Sequence, residues 1–194
     1  MEISENENEI RLKRIKAKKM MLLFSMLSIA MTFAGLTSAY IVSKSRPDWL
    51  KDFELPIAFT LSTIFIVISS LSIAFAKKNL NQNNSSKTNF LLLVTFGLGI
   101  LFVASQFIGF NKLISSGYFF TGAQSTITTS FLYVLTVLHL AHLFAGLIVL
   151  IVVIINNYKN KYKLEKLGFE LAVTFWHFLG ILWLYLFVFF YFFR

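Results

Sequence analysis

The chain has 194 residues, of which 57% are hydrophobic and only 14% charged, with Phe alone occurring 23 times; an ordinary soluble domain is roughly 25% charged. A soluble fold of this size cannot hide that much apolar surface and still cover itself with polar groups, which excludes a soluble enzyme, a secreted disulfide module and a disordered tail. With no cysteine there is no disulfide framework, thiolate metal site or Cys nucleophile, and the net charge of +9 has to be located before it is read as a nucleic-acid signal.

In chain order, residues 1–19 read as a mobile basic tail that becomes helical as it nears a membrane. Charge-free runs follow at Met20–Ser43, Leu55–Ala76, Thr88–Asn111, Leu113–Tyr158 and Leu171–Phe193. About 20 apolar residues are needed to cross a hydrocarbon core of about 30 Å, so each run predicts one crossing. The first run is too long and too poorly flanked for a cleaved signal peptide, and Thr37-Ser38-Ala39 is only a faint cleavage site. Asn79–Ser86 reads as a solvated turn. The fourth run opens on polar residues from Ser115 to Ser130, among them Thr121, Gly122, Gln124, Ser125 and Thr126, so its helix is expected to start near Phe131. The predicted fold is an all-α integral membrane protein. It has one membrane domain over 20–194, with helices at about 20–43, 55–76, 89–111, 131–155 and 171–193. No internal repeat supports an inverted-repeat transporter.

Lysine and arginine set the expected orientation. Arg11, Lys13, Arg14, Lys16, Lys18, Lys19, Lys77, Lys78, Lys87, Lys159, Lys161, Lys163 and Lys166 fall on one side. Lys44, Arg46, Lys51, Lys112 and Arg194 fall on the other. Short loops rich in Lys and Arg stay cytoplasmic, which predicts the N-terminus inside and the C-terminus outside. The positive charge is then a topology signal with some attraction to anionic headgroups, and no nucleic-acid partner is expected. Tyr40, Trp49, Tyr118 and Tyr191 fit an outer aromatic belt.

No Asp, Glu, Lys or Arg lies within a span, so the buried carboxylates of a proton pump or ion-coupled transporter are missing. The ionisable candidates are His139, His142 and His177, with Glu170 at the inner boundary of the last helix. His139 and His142, three apart, share a helix face and read either as a metal or haem site or as packing groups hydrogen-bonded to neighbouring helices. His142 lies about 20 Å and His177 about 10 Å from the inner ends of their helices, so the three do not converge on one metal and packing is preferred. Glu170 and His177 are two turns apart, beside a stripe of Trp176 and Trp183. They read as an interfacial carboxylate with ordinary aromatic packing, or as a polar seam against another helix or a phospholipid. The Gln106 amide needs a partner in hydrocarbon, and another helix is the expected supplier. Ala30, Ala34 and Ser38, and Ala141 with Ala145, form small-residue ladders that suggest close helix packing. Read alone, these residues describe a membrane subunit without its own active site.

The motifs resemble a known family. Gly168-Phe169-Glu170-Leu171-Ala172, then Phe175-Trp176-His177-Phe178, Trp183 and the aromatic tail to Tyr191, look like the last helix of subunit III of haem–copper oxidases. The stretch His139-Leu140-Ala141-His142-Leu143-Phe144-Ala145-Gly146-Leu147 is similar to that family's histidine-bearing helix. Leu98-Gly99, Phe102 and Gln106 match the helix before it; Phe33-Ala34-Gly35 with Ala39-Tyr40 match the first helix. Pro56, Thr63, Ser69 and Ser70 resemble the second. The likeness covers about residues 20–193 and fits the short five-helix bacterial form. Three acidic residues frequent in the family are missing, near Ser28-Ile29, at Gly109 and at Gly180.

The resemblance implies an accessory core subunit of a terminal oxidase, a cytochrome c oxidase in the first reading, in the bacterial inner membrane. Haems and copper would lie in partner subunits I and II, with no metal or cofactor in this chain. In that family the helices split into two bundles around a lipid-filled cleft, this chain is expected to form a bundle of five transmembrane helices, and the subunit would sustain proton uptake and complex stability while oxygen is reduced to water. It would bind phospholipid and could enter a respiratory supercomplex. Glu170, His177, Trp176, His139, His142, Gln106 and Trp183 are the candidate lipid or subunit-interface residues; none is expected to be catalytic. The alternatives are subunit III of a quinol oxidase, the subunit-III-like protein of a nitric oxide reductase, a small transporter and a haem-binding membrane anchor.

Overall fold

The computed structural model describes residues 2–46, 49–50, 55–82, 84–122, 125–163 and 166–193, with the side chains of 2–7 and 163 outside the description. Lys51, Gln124 and Arg194 therefore lie outside the described residues. Five α-helices and two short 3-10 turns make up the described structure, and no strand occurs among the described residues. The helices are α1 (Glu2–Val42), α2 (Ile57–Asn81), α3 (Ser85–Ser115), α4 (Ile127–Tyr158) and α5 (Leu167–Phe193). Each contains a stretch long and apolar enough to cross a membrane.

Four of the helices run past their charge-free segments, and α4 runs past the expected 131–155 within its own. Helix α1 starts at Glu2, so the expected mobile tail is helical from its second residue. Its 41 residues span about 62 Å, twice a hydrocarbon core. Helix α2 continues through Lys77, Lys78 and Asn79, so only 82 and 84 of the described residues in the expected Asn79–Ser86 turn lie outside a helix, and Asn84 caps α3 by accepting from Lys87 N–H. Helix α4 starts at Ile127 and not at Phe131, because Thr126 and Thr129 form a reciprocal capping box that satisfies its first N–H groups. The C-terminus of α3 closes through Gly117 at φ +83°, a conformation that a Cβ disfavours; Gly117 N–H donates to Ile114 O and Tyr118 N–H to Leu113 O.

Helices α2 and α3 form the tightest pair, and α4 and α5 complete a four-helix group in which α5 touches α1, α2 and α4. Helix α1 leans mainly on α4 and α5, so the described helices form a five-helix bundle with α1 at its edge. Large apolar side chains such as Ile57, Met31, Val42, Ile148, Ile181 and Phe192 stand exposed around the outside. A soluble monomer rarely exposes contiguous apolar patches above a few hundred Å²; in a bilayer this belt faces lipid. Serines and threonines inside the spans are satisfied on their own helices: Thr37, Thr63, Thr95, Ser105 and Thr136 each donate to the carbonyl four residues back. That suits a solvent that offers no hydrogen bonds.

Candidate functional site

Helix α5 is locked to α2 by a row of polar contacts. Trp176 Nε1 donates to Ser69 Oγ at 3.1 Å, Trp183 Nε1 donates to Thr63 Oγ1 at 3.0 Å, and His177 Nδ1 shares a hydrogen bond with the Ser70 hydroxyl. The spacing explains it: seven residues separate the two indoles, and six separate Thr63 from Ser69 on the antiparallel helix, so both pairs meet at successive double turns. Each acceptor hydroxyl in turn donates to its own helix, Ser69 to Ile66 O and Thr63 to Phe59 O, both at 2.8 Å. A membrane hydrogen bond of this kind is worth about 0.6 kcal/mol on average. Three in register hold the rotation of α5 more than they add to stability.

His139 lies deeper, wholly buried on α4 among the rings of Trp183, Phe102 and Phe33, with centroids 5.2, 5.9 and 6.4 Å away. Neither of its ring nitrogens has a hydrogen-bond partner. His142 also faces Phe33, at 5.9 Å, but is only half-buried, and its Nδ1 donates to Leu138 O of its own helix at 2.8 Å. Neither histidine makes the interhelical hydrogen bond expected of it; aromatic packing is what holds them. Gln106 departs from expectation in the same way. It is fully buried on α3, and among the described residues neither its amide nitrogen nor its oxygen has a partner, so none of the described helices supplies one. Among the described residues, no group of three or more His, Asp or Glu side chains is placed to hold a metal ion.

Glu170 stands apart from this core. Its carboxylate meets Lys19 Nζ of α1 at 3.5 Å, with about half of each side chain solvated. His177, two turns on, turns to α2 instead. The structure thus brings together Trp176, His177 and Trp183 along α2, joins His139 and His142 to them through aromatic rings, and leaves Gln106 and Glu170 separate.

The close helix approaches fall on glycines that the sequence reading did not single out for packing. A Cβ on Gly99 would lie 2.9 Å from Leu147 Cδ2 and 3.0 Å from Trp176 Cη2, and one on Gly146 would lie 2.7 Å from Leu179 Cδ1. Gly99, Gly146 and Trp176 therefore mark where α3, α4 and α5 converge. The expected small-residue ladders face the other way: Ala34, Ser38, Ala141 and Ala145 are exposed, while α1 buries Phe33, Thr37 and Tyr40. Two of the missing acidic positions have physical readings. A side chain at Gly109 would press on the Phe59 ring at 3.2 Å, whereas Gly180 has ordinary room beside Ser70, whose hydroxyl already engages His177.

Five apolar helices, with Trp176, His177 and Trp183 engaged in contacts between α5 and α2, define a multi-pass membrane protein. A family model described as cytochrome c oxidase subunit III matches residues 13–194. The chain is 28% identical over 162 residues to cytochrome c oxidase subunit 3 of Bacillus sp. (strain PS3), covering 80% of this chain and 75% of that relative. It is 30% identical over 137 residues to the subunit of the same name from Spodoptera frugiperda, covering 70% and 87%. It is 32% identical over 174 residues to cytochrome bo(3) ubiquinol oxidase subunit 3 of Buchnera aphidicola subsp. Schizaphis graminum (strain Sg), covering 86% and 88%. The chain belongs to the cytochrome c oxidase subunit III family, and is a subunit III of a haem–copper oxidase.

Proposed function

We propose that the chain is the accessory subunit III of a cytochrome c oxidase, packed against subunits I and II of the bacterial inner-membrane complex, with its N-terminus in the cytoplasm and its C-terminus outside. It carries no redox centre or metal in this reading. It sustains proton uptake into subunit I and keeps the complex intact during oxygen reduction. The observation that supports this best is the use of Trp176, His177 and Trp183 on Ser69, Ser70 and Thr63. Those groups fix helices and leave no free ligand set on the family's most specific motif. Orientation is supported by the thirteen Lys and Arg residues named above for the N-terminal side against five for the other. Residues 1–19 then extend α1 into the cytoplasm, and 20–194 form the membrane domain. Glu170, at the solvated edge, is the best-placed of the candidate residues to meet a partner subunit or a lipid.

A quinol oxidase is the second reading, favoured by the Buchnera bo(3) relative, which spans more of this chain than the two cytochrome c oxidase relatives above. Mild-detergent purification of the tagged chain tests both. Large oxidase subunits in the eluate with a reduced-minus-oxidised haem spectrum are expected, and oxidation of cytochrome c against quinol by that eluate separates the two. A colourless chain recovered alone under successively milder detergents would overturn both.

A further inference from the structure

Three polar side chains gather in the interior between α3 and α4. On α3, Phe102, Gln106 and Phe110 follow one another at steps of four, all buried on one face. The Phe102 ring stands 5.9 Å from the ring of His139 on α4, and the Phe110 ring 5.2 Å from that of Tyr133 on the same helix. The two helices therefore run antiparallel, with 102–110 alongside 133–139. Gln106, midway along the first stretch, comes level with Thr136, midway along the second. Gln106, Thr136 and His139 are each fully buried.

Their hydrogen-bonding capacities are complementary and unspent. Among the described residues, neither polar atom of Gln106 and neither ring nitrogen of His139 has a partner. The amide brings two N–H donors and a carbonyl acceptor, and a neutral imidazole brings one donor and one bare nitrogen. Thr136 donates its hydroxyl proton to Leu132 O at 2.8 Å, and its oxygen can still accept. Polar atoms buried in a low dielectric nearly always find a partner, because an unmet one is costly.

Burial decides what that partner is. The rings of Phe33, Phe102 and Trp183 surround His139, and none of the three polar side chains is exposed, so neither a lipid nor a neighbouring subunit reaches them. The runs Thr88–Asn111 and Leu113–Tyr158 that carry them hold no Asp, Glu, Lys or Arg, so no opposite charge would balance an ion. The occupant has to be small and neutral, and has to donate as well as accept. Water meets all three conditions. It spans about 5.6 Å between two partners, twice an O–H···O distance, and so joins groups that no direct hydrogen bond connects.

We infer that an internal water molecule is bound between α3 and α4, accepting from the Gln106 amide and donating to the bare ring nitrogen of His139 and to Thr136 Oγ1. About three partners is typical of a buried water. The water supplies the interhelical link that neither Gln106 nor His139 makes directly. By occupying one ring nitrogen of His139, it also leaves the proton on the other and sets the tautomer. Its hydrogen bonds are offset by its immobilisation, so the melting temperature of Gln106→Leu does not measure it. The inference does not depend on which electron donor the complex uses.

The full chain in lipid nanodiscs, isotope-labelled at the nitrogens of histidine and glutamine, provides the test by solid-state NMR with polarisation transferred from water protons. The chain has three histidines, so the His139 signal is the one that His139→Phe removes. Transfer to both the His139 ring and the Gln106 amide is expected. In Gln106→Leu the transfer to His139 should be lost, while His177, bonded to Ser70 on α2, keeps its chemical shift and shows the bundle intact. Thr136→Val, which keeps the shape and removes the oxygen, should weaken the transfer to His139. The parent spectrum and Thr136→Val carry the test if Gln106→Leu disturbs His177. No transfer to His139 in the parent chain would overturn the site and leave the imidazole to the rings around it. A direct contact between the Gln106 amide and His139 without water transfer would overturn the bridge. Full transfer to His139 retained in both variants would do the same.

Discussion

Glu170 and Lys19 approach to 3.5 Å with about half of each side chain in solvent. Exposed pairs of this kind are worth about 0–1 kcal/mol, so the bridge contributes little to holding α1 on α5. Glu170→Ala should therefore leave the melting temperature of the chain nearly unchanged while lowering the amount of subunit III that co-purifies with the oxidase. Normal stoichiometry in the purified complex would remove Glu170 from the interface. Gln106 makes the opposite case. Its amide is fully buried with both polar atoms unpartnered, a condition that costs on the order of 1–3 kcal/mol. Leucine has nearly the same volume and no such cost, so Gln106→Leu should hold or raise the melting temperature. A fall of several degrees would show that the amide gains a partner the chain alone does not provide. That Gln106 needs a partner was legible in the sequence; that no described group supplies one was not, because spacing says nothing about the opposite helix.

The helices themselves were legible because charge is expensive in hydrocarbon, and each charge-free run marks one of them. Their ends were not, since backbone hydrogen bonding continues into water wherever the sequence allows it: Lys77 and Lys78 extend α2, and the Thr126–Thr129 box starts α4 among residues that read as loop. The packing faces were half legible. The Trp176–Trp183 spacing announced a stripe, but Ala34, Ser38, Ala141 and Ala145 of the i, i+4 ladders face away from the other helices of this chain, since periodicity defines a face without saying which neighbour it meets. The glycines at the real contact give a graded test. At Gly99 the obstacle includes the rigid Trp176 ring at 3.0 Å, whereas at Gly146 it is mainly the movable tip of Leu179. Overpacking of a fitted core costs about 1–3 kcal/mol. Gly99→Ala should lower the melting temperature of the chain clearly, and Gly146→Ala by less. The reverse order would mean that Trp176 is free to move and that the α3–α4–α5 junction is looser than its geometry.

At the scale of the molecule, burial is uneven. Only 11% of the most apolar stretch of α1 is buried within the chain, against 44% for α4 and for α5. An apolar helix left this open fits a surface completed by lipid or by neighbouring subunits, and it makes α1 depend on the membrane for its placement. The two ends of the bundle differ in chemistry as well. One end carries Lys18, Lys19, Lys161 and Lys166 around the start of α5; the other carries Lys44 beside Trp49 and Phe193, with centroids 6.0 and 5.2 Å from its ammonium. If short loops rich in Lys and Arg stay in the cytoplasm, the first end is inside. The chain has no cysteine, so any introduced thiol is the only one present. Ser86→Cys and Asn160→Cys would place a thiol at the first end, and Ser45→Cys and Ser116→Cys at the second, all at exposed positions. In intact cells a membrane-impermeant maleimide should label only the second pair, and the first pair should react only after the membrane is opened. Labelling of Ser86→Cys or Asn160→Cys in intact cells would invert the proposed topology and place the Lys18, Lys19, Lys161 and Lys166 end of the bundle outside.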